Sequence, residues 1–263
     1  MKTLGRSFTF LVLLMQCFHA TQAFVPSNPR FSSPSRYGHD LNSVSSKTSM
    51  DISLTDLMND AEDLIIQSKG SVPIETLEPL LASIETQSTY KEPNREPNFK
   101  GTWHVWYTNC PPPSNGQLGP FQGSAEQVIA PTGDSYKNVL RLPPHCQDNE
   151  WLTVVLDGIW EDWDGNELQD GNAPVSVSAS SAGAQPTTED YGAKFWKVTF
   201  LRLNFNLFGN RILSKDFPAG VARVWRTTYL DEDTKIVRAG RTGRVDDESV
   251  FYMKTSQRPS VSR

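Results

Sequence analysis

The strongest constraint on the fold is a succession of short β-type segments that begins near Phe99 and continues almost to the end of the chain. The segments are rich in Val, Ile, Thr and aromatic residues, and residues typical of turns separate them. Their ranges are 101–109, 121–130, 135–142, 151–163, 194–207, 220–230, 234–239 and 248–255. About eight sequential strands favour an up-and-down antiparallel β-barrel over 99–256, because closure leaves no edge strand unpaired. Such a barrel encloses room for one small apolar ligand.

Two stretches within this region predict local departures from a regular barrel. Residues 171–192 are rich in Ser, Ala, Gly and Thr, and their length indicates either a lid or an insertion. Within 194–207 the apolar residues occupy one strand face up to Phe200 and the opposite face from Leu201 onward. Because a one-residue slip inverts the two faces of a strand, this change of phase predicts a β-bulge at that point.

An α-helical hairpin and a connector are predicted for residues 51–98, ahead of the β-type region. Leucine, isoleucine and alanine recur there at helical spacing, and Ser53 or Thr55 is placed to cap the first helix. Gly70 is expected to end that helix, and Pro73 lies near the start of the second. The end of the range, which contains two prolines, is predicted to be extended.

The first fifty residues have the composition of targeting sequence. Residues 1–23 combine a basic start, a short apolar core and small residues up to Ala23, which is typical of a signal peptide. Residues 24–50 are rich in Ser, Pro and Asn and contain a single acid, which predicts a disordered, transit-peptide-like segment. With Phe24 first after the cut, the junction resembles the Ala-Phe-x-Pro of bipartite presequences in complex plastids of red-algal secondary origin. The resemblance implies a plastid protein; a secreted protein with a disordered N-terminus is the alternative.

Charge and hydropathy exclude several classes of partner. The formal net charge of −5 shows no basic excess of the kind that nucleic-acid binding requires. The same acidic balance argues against binding to an anionic membrane surface by simple attraction. Beyond the leader, no segment approaches the ~20 consecutive apolar residues of a transmembrane helix, and residues 257–263 are predicted to be a disordered tail.

Two motifs at opposite ends of the β-type region carry a family resemblance. Residues 101–108 read GTWHVWYT, in which Gly-x-Trp resembles the lipocalin signature. The longer pattern, Gly-x-Trp-x-apolar-x-Tyr-Thr, resembles more narrowly the plastid lipid-associated proteins, or fibrillins. Residues 225–240 read WRTTYLDEDTKIVRAG and precede a last apolar strand, which resembles the C-terminal end of that family. The motifs frame residues 52–256, while the middle of the chain matches only in texture.

The resemblance implies a lipocalin-like barrel that binds or carries apolar plastid molecules such as carotenoids, prenylquinones or galactolipids. It would sit in the stroma, on thylakoids or on plastid lipid droplets, with exposed apolar residues at the lipid surface, first of all Phe121, Phe208 and Phe217. In lipocalin-like barrels a late-strand arginine covers the Gly-x-Trp indole, which here implies a contact between Trp103 and Arg238, with Arg241 as the alternative. The candidates for the barrel interior are Trp103, Val105, Tyr107, Trp160, Trp196, Phe200 and Trp225.

Neither a cofactor nor a metal site nor a catalytic residue is predicted. No nucleophile elbow, phosphate-binding loop or dinucleotide fingerprint is present, and the acidic cluster 231–233 is interpreted as a solvated turn. Four His and Cys residues are considered as a zinc site but match no standard ligand spacing: His104, Cys110, His145 and Cys146. Two other functions stay open. One is a ligand-free assembly or protection factor for photosynthetic complexes, whose interior its own side chains would fill. The other is a lipocalin-fold enzyme acting on isoprenoids, which would need a carboxylate or histidine inside the barrel.

Overall fold

A computed structural model describes most of the chain beyond the predicted leader. The described residues are 53–144, 150–163, 165, 192–240 and 248–259. The predicted signal and transit peptides, with their junction at Ala23 and Phe24, lie outside the described residues. So do Arg241, nearly all of the predicted lid or insertion, and the last four residues of the predicted tail.

Two α-helices open the described part of the chain, as predicted. Helix α1 spans Leu54–Gln67 and helix α2 spans Ile74–Thr86. The Ser53 hydroxyl oxygen caps α1 by accepting a hydrogen bond from the backbone N–H of Asp56 at 3.2 Å. Gly70 follows α1 with a φ of 80°, a left-handed conformation that suits glycine at a helix end.

The connector after α2 contains two short 3₁₀ helices rather than extended chain throughout. They span Pro93–Arg95 and Pro97–Phe99, and each begins with a proline. Proline favours this position because its φ is already helical and its missing N–H is not needed there. The second of these turns delivers the fully buried side chain of Phe99 to the sheet.

Eleven strands occur among the described residues. They are β1 (Gly101–Thr108), β2 (Gln117–Leu118), β3 (Phe121–Gln122), β4 (Ser124–Ile129), β5 (Ser135–Leu142), β6 (Leu152–Asp162), β7 (Phe195–Leu207), β8 (Asn210–Asp216), β9 (Ala222–Leu230), β10 (Thr234–Gly240) and β11 (Ser249–Lys254). Each of the predicted segments contains a strand. Strands β2 and β8 were not predicted.

Nine of these strands form one antiparallel sheet that curls into a ring-like arrangement. Their order is β6-β5-β4-β1-β11-β10-β9-β7-β8, and β6 also pairs with β7. This additional pairing joins the two sides of the sheet, while β2 and β3 form a separate small hairpin. The fold is therefore mainly β, with a large antiparallel sheet and two helices.

The predicted bulge in β7 is confirmed. Opposite β6, Arg202 pairs with Asp157 and Phe200 pairs with Gly158, so Leu201 is the extra residue. Strand β7 pairs with β9 before the bulge and with β8 after it. The bulge therefore marks the position where β7 changes its partner strand.

Each face of the sheet carries its own apolar cluster. The outer cluster packs the helices against the sheet, and its sheet residues are Trp106, Tyr107, Tyr229, Ile236, Val250 and Tyr252. The inner cluster contains Phe99, Trp103, Ile129, Tyr136, Trp196, Val198, Trp225, Leu230, Val237, Phe251 and Met253. Tyr136 of β5 meets Trp225 of β9 at a ring-centroid distance of 5.9 Å. Because β5 and β9 are not neighbours in the sheet, this contact crosses the inside of the ring.

Within the part of the chain that the structure describes, no helix is both long and apolar enough to cross a membrane.

Candidate ligand-binding interior

Aromatic side chains occupy the middle of the ring. The indole of Trp196 lies 5.2 Å from the ring of Phe99 and 5.3 Å from that of Trp225, measured between centroids. It also contacts Tyr136 at 5.9 Å and Trp160 at 6.2 Å. Most of these pairs are tilted or edge-to-face, the arrangements that the aromatic quadrupole favours. At this level the protein's own side chains fill the interior.

One end of the ring is covered by Phe99, Trp103 and Lys235. The backbone carbonyl of Phe99 accepts hydrogen bonds from Trp103 Nε1 at 3.1 Å and from Lys235 Nζ at 3.4 Å. The Lys235 Nζ atom also lies over both rings, 4.9 Å from the centroid of Phe99 and 4.7 Å from that of Trp103. We call these three residues the plug. It ties the second 3₁₀ turn to β1 and β10.

The Lys235 side chain is fully buried, with 0% of its surface exposed. It forms no ion pair with any residue that the structure describes. The two aromatic rings and the carbonyl favour its protonated form, but loss of hydration disfavours a buried charge more strongly. Burial therefore lowers the pKa of the Lys235 amine well below its ordinary value.

The predicted contact between Trp103 and Arg238 is wrong. Arg238 lies on the opposite face of β10, where Nε is 2.8 Å from Glu85 Oε1 and Nη2 is 2.6 Å from Glu78 Oε1, both on α2. Alternate residues of a strand point to opposite faces, so residues 235 and 238 cannot share one. The basic side chain over Trp103 is that of Lys235. Its position in phase with the inward-facing Val237 was the signal that sequence reasoning missed.

The structure brings most of the predicted interior residues together. Trp103, Trp196 and Trp225 belong to the inner cluster, and the partly buried residues that pack against it include Val105, Trp160 and Phe200. Tyr107 does not belong with them, because it lies in the outer cluster under the helices. The pairing of β1 with β11 shifts register between Val105 and Tyr107, which turns Tyr107 outward. That the inward-facing residues contact a ligand stays a prediction.

Three buried polar atoms of the interior have no hydrogen-bond partner among the described residues. They are the indole nitrogens of Trp160 and Trp225 and the amide oxygen of Gln127. The Gln127 amide nitrogen does donate to Tyr136 Oη at 3.3 Å, and that hydroxyl donates to Asn138 Oδ1 at 2.7 Å. A buried polar atom without a partner costs about 1–3 kcal/mol. The interior therefore offers two N–H donors and one acceptor to a polar group on an apolar molecule.

The titratable cluster nearest to β1 lies on the outer face. Trp103 pairs with Gln127 inside the ring, so the adjacent pair of His104 and Glu126 points outward. His104 Nδ1 is 3.6 Å from Glu126 Oε1, and Arg141 Nε is 3.2 Å from Glu126 Oε2. Burial lowers the pKa of His104, with Glu126 opposing the shift. This carboxylate and this histidine do not adjoin the interior.

The remaining candidates from the sequence are the His and Cys residues considered for zinc and the acidic cluster 231–233. The described residues hold no group of three or more His, Cys, Asp or Glu placed to bind a metal, while His145 and Cys146 lie outside them. In the acidic cluster, Asp231 Oδ1 accepts hydrogen bonds from the backbone N–H groups of Asp233 at 2.9 Å and Thr234 at 2.7 Å. Asp231 thus forms an Asx turn that closes the β9–β10 hairpin.

The comparisons with known proteins assign no family. No protein-family model matches the chain, and no curated protein matches it. The likeness to fibrillins therefore rests on the two sequence motifs.

Proposed function

We propose that this chain is a plastid lipid-associated, fibrillin-like protein that binds or carries an apolar molecule inside a lipocalin-like barrel. Carotenoids, prenylquinones and galactolipids are the ligand classes that the sequence resemblance implies. The proposed setting is the surface of a thylakoid or of a plastid lipid droplet, reached through a two-part presequence. No catalytic residue enters the proposal, because the sequence predicts none. His104 and Glu126 lie on the outer face of the sheet, and Asp162, which pairs with the inward-facing Trp196 at the end of β6, is exposed.

The observation that supports the proposal is the combination of aromatic rings and unpaired polar atoms in the interior. An apolar molecule that leaves water for such surroundings gains ~25 cal/mol per Å² of apolar surface buried. A carbonyl or hydroxyl on the same molecule would pair with the indole N–H of Trp160 or Trp225. Binding sites of this kind are mostly apolar, with a few polar groups that fix orientation.

A second function is favoured by the close packing around Trp196. Its four ring contacts fill the interior at that level with the protein's own side chains. This is the arrangement that we expect of a ligand-free assembly or protection factor for photosynthetic complexes. The two functions differ in whether the end of the ring away from the plug admits a ligand.

A pair of tryptophan variants distinguishes them. Trp225→Phe removes an indole N–H that has no partner among the described residues, whereas Trp196→Phe removes one that donates to Thr227 Oγ1 at 3.2 Å. Both variants lose part of a buried indole, so both should lose some packing energy. Trp196→Phe should lower stability by about 1 kcal/mol more than Trp225→Phe, because Thr227 loses its donor. We expect Trp225→Phe to weaken binding of a prenylquinone about tenfold, since one hydrogen bond to the ligand is lost.

The measurement is a fluorescence titration of the three proteins with a prenylquinone, alongside urea unfolding. Saturable quenching by one equivalent of quinone, weakened in Trp225→Phe, supports the carrier function. An absence of saturable quenching in the folded wild type would leave the assembly-factor function as the better account.

A further inference from the structure

The turn between β7 and β8 holds an aromatic residue where the backbone does not favour one. Leu207 pairs with Asn210, which leaves Phe208 and Gly209 as a two-residue turn with φ values of 49° and 76°. Positive φ at both positions is typical of a type I′ hairpin turn, in which Asn-Gly is strongly preferred. The Phe208 side chain is 71% exposed, so burial does not compensate for the strain. Stability alone does not explain a phenylalanine here.

Two further aromatic residues lie beside this turn. The backbone N–H of Phe208 donates to the carbonyl of Trp151 at 2.9 Å. The indole of Trp151 meets the ring of Phe121 edge-on at a centroid distance of 5.3 Å, and Phe121 is 40% exposed. The three residues come from separate parts of the chain, namely the β7–β8 turn, the start of β6 and strand β3. We call them the aromatic apex.

The aromatic apex and the plug lie at opposite ends of β6. Trp151 directly precedes the first residue of the strand, while Trp160 near its other end contacts Phe99 at 5.4 Å. At about 3.3 Å per residue, the two positions are roughly 30 Å apart along the strand. The apex therefore marks the end of the ring that the plug does not cover.

The hairpin that carries Phe208 is locally basic in an acidic chain. Residues 201–217 contain Arg202, Arg211 and Lys215 but a single acid, Asp216, which gives a local charge of +3 − 1 = +2 against −5 for the whole chain. Arg202 binds Asp216, so Arg211 is the hairpin charge nearest to the turn in sequence. Glu150, which directly precedes Trp151, is paired with Arg141 at 2.8 Å. Charges more than about 10 Å away are largely screened at physiological salt. An anionic surface at the apex would therefore be attracted by the hairpin despite the net charge of the chain.

We propose that the aromatic apex inserts into a lipid surface that carries anionic head groups, with Arg211 beside them. The docked protein would then present the end of the ring opposite the plug to the lipid and hold the plug on the far side. The phenyl group of Phe208 protrudes from a two-residue turn, so it can insert at a single point. Insertion at a point suits a lipid interface, whereas a protein partner would require a broad contact face. The inference deepens the proposed function. It rests on that function only in assuming that the lipid surface supplies the apolar molecule bound inside the ring.

The test is vesicle flotation of residues 51–263, which include the whole compact unit that begins at Ser53. Vesicles contain galactolipid alone or galactolipid with phosphatidylglycerol. Phe208→Asn should unfold at the same or a higher temperature than the wild type, since Asn suits the turn, yet bind vesicles at least about tenfold more weakly. Arg211→Gln should lose about fivefold on the anionic vesicles only, and high salt should remove that difference.

Leu201→Asn is the matched control. Leu201 is 46% exposed on the same hairpin, but it lies at the bulge, roughly 20 Å along β7 from the turn. We expect its flotation to equal that of the wild type. Equal flotation of Phe208→Asn and the wild type would overturn the inference, and so would equal loss in Phe208→Asn and Leu201→Asn.

Light scattering without vesicles identifies the other possible occupant of this surface. A dimer that Phe208→Asn disrupts, together with no flotation of the wild type, would assign the apex to contact between two copies and overturn the inference. Flotation with no recovered or titratable ligand would instead overturn the proposed function and leave lipid docking standing.

Discussion

Lys235 illustrates how the surroundings of one side chain decide its chemistry. Its amine is packed against two aromatic rings and one carbonyl, with no acidic partner among the described residues. In the unfolded chain the same amine is hydrated and protonated up to its ordinary pKa of 10.5. The folded state therefore binds fewer protons than the unfolded state between its lowered pKa and pH 10.5. In that window the stability of the protein should rise with pH.

Replacing Lys235 with methionine should remove this dependence. Methionine has a similar length and no charge to desolvate, so we expect equal or higher stability near pH 7 and a shallower rise towards pH ~9. Each unit by which burial lowers the pKa corresponds to ~1.4 kcal/mol of pH-dependent stability. Urea unfolding across this range measures the slope for wild type and variant.

Lys137→Met is the control for the same experiment, because Lys137 is exposed on β5. Its slope should match that of the wild type. Identical slopes for the wild type and Lys235→Met would contradict a lowered pKa for the Lys235 amine.

At the scale of single elements, α2 is fixed to the sheet by Arg238. The guanidinium group bridges Glu78 and Glu85 of the helix, and Thr228 Oγ1 donates to Glu85 Oε1 at 2.7 Å. On α1, Glu62 Oε1 accepts from Lys254 Nζ at 2.6 Å. The hydrogen bonds and charges of Glu78 and Glu85 raise the pKa of Arg238, so the group is charged throughout the accessible pH range. These polar contacts border the apolar outer cluster and set the register of the helices on the strands.

Arg238→Met should therefore destabilise the protein by about 3 kcal/mol, since it leaves the half-buried Glu85 without its cation. Arg95→Met is the matched change, because Arg95 and its partner Glu92 are both exposed, and it should cost less than ~1 kcal/mol. Urea unfolding of both variants gives the comparison. Equal and small losses in the two would show that the contacts of Arg238 with Glu78 and Glu85 contribute nothing to stability.

The strands were predictable because the sheet is built by alternation, a local property of the sequence. The bulge at Leu201 follows from the same rule, since a change of phase is visible in the residues themselves. Strand β8 was missed because every residue in it is exposed, so its sequence shows no alternation of buried and exposed residues. It is a strand because it pairs with β7. Tyr107 was misplaced because the shift in β1 depends on its pairing with β11, which no local pattern reports.

The error over Arg238 has a different origin. The family resemblance implies an arginine over Trp103, and Arg238 has the required residue type. Its position in the alternation of β10, however, places it on the outer face. Phase alone would have favoured Lys235, which is in register with Val237 on the inner face. The capping role of Phe99 was also hidden, because it requires the 3₁₀ turn that ends at that residue.

The ring of strands has two unlike ends. Phe99, Trp103 and Lys235 cover one end of the ring, the aromatic apex marks the other, and the helices pack on the outer face of the sheet. The indole nitrogens of Trp160 and Trp225, which have no hydrogen-bond partner among the described residues, face the inside of the ring, with Trp160 in contact with Phe99 of the plug. A carrier needs this asymmetry, because a ligand that enters at a lipid surface must be held by a closed far side.

The most direct test of the carrier function is recovery of a ligand. Residues 51–263 would be incubated with a total plastid lipid extract, purified again, and analysed by mass spectrometry for bound molecules. We predict stoichiometric recovery of one class of carotenoid, prenylquinone or galactolipid. Recovery of nothing above a control protein, from a folded sample, would contradict the carrier function and favour a ligand-free assembly role.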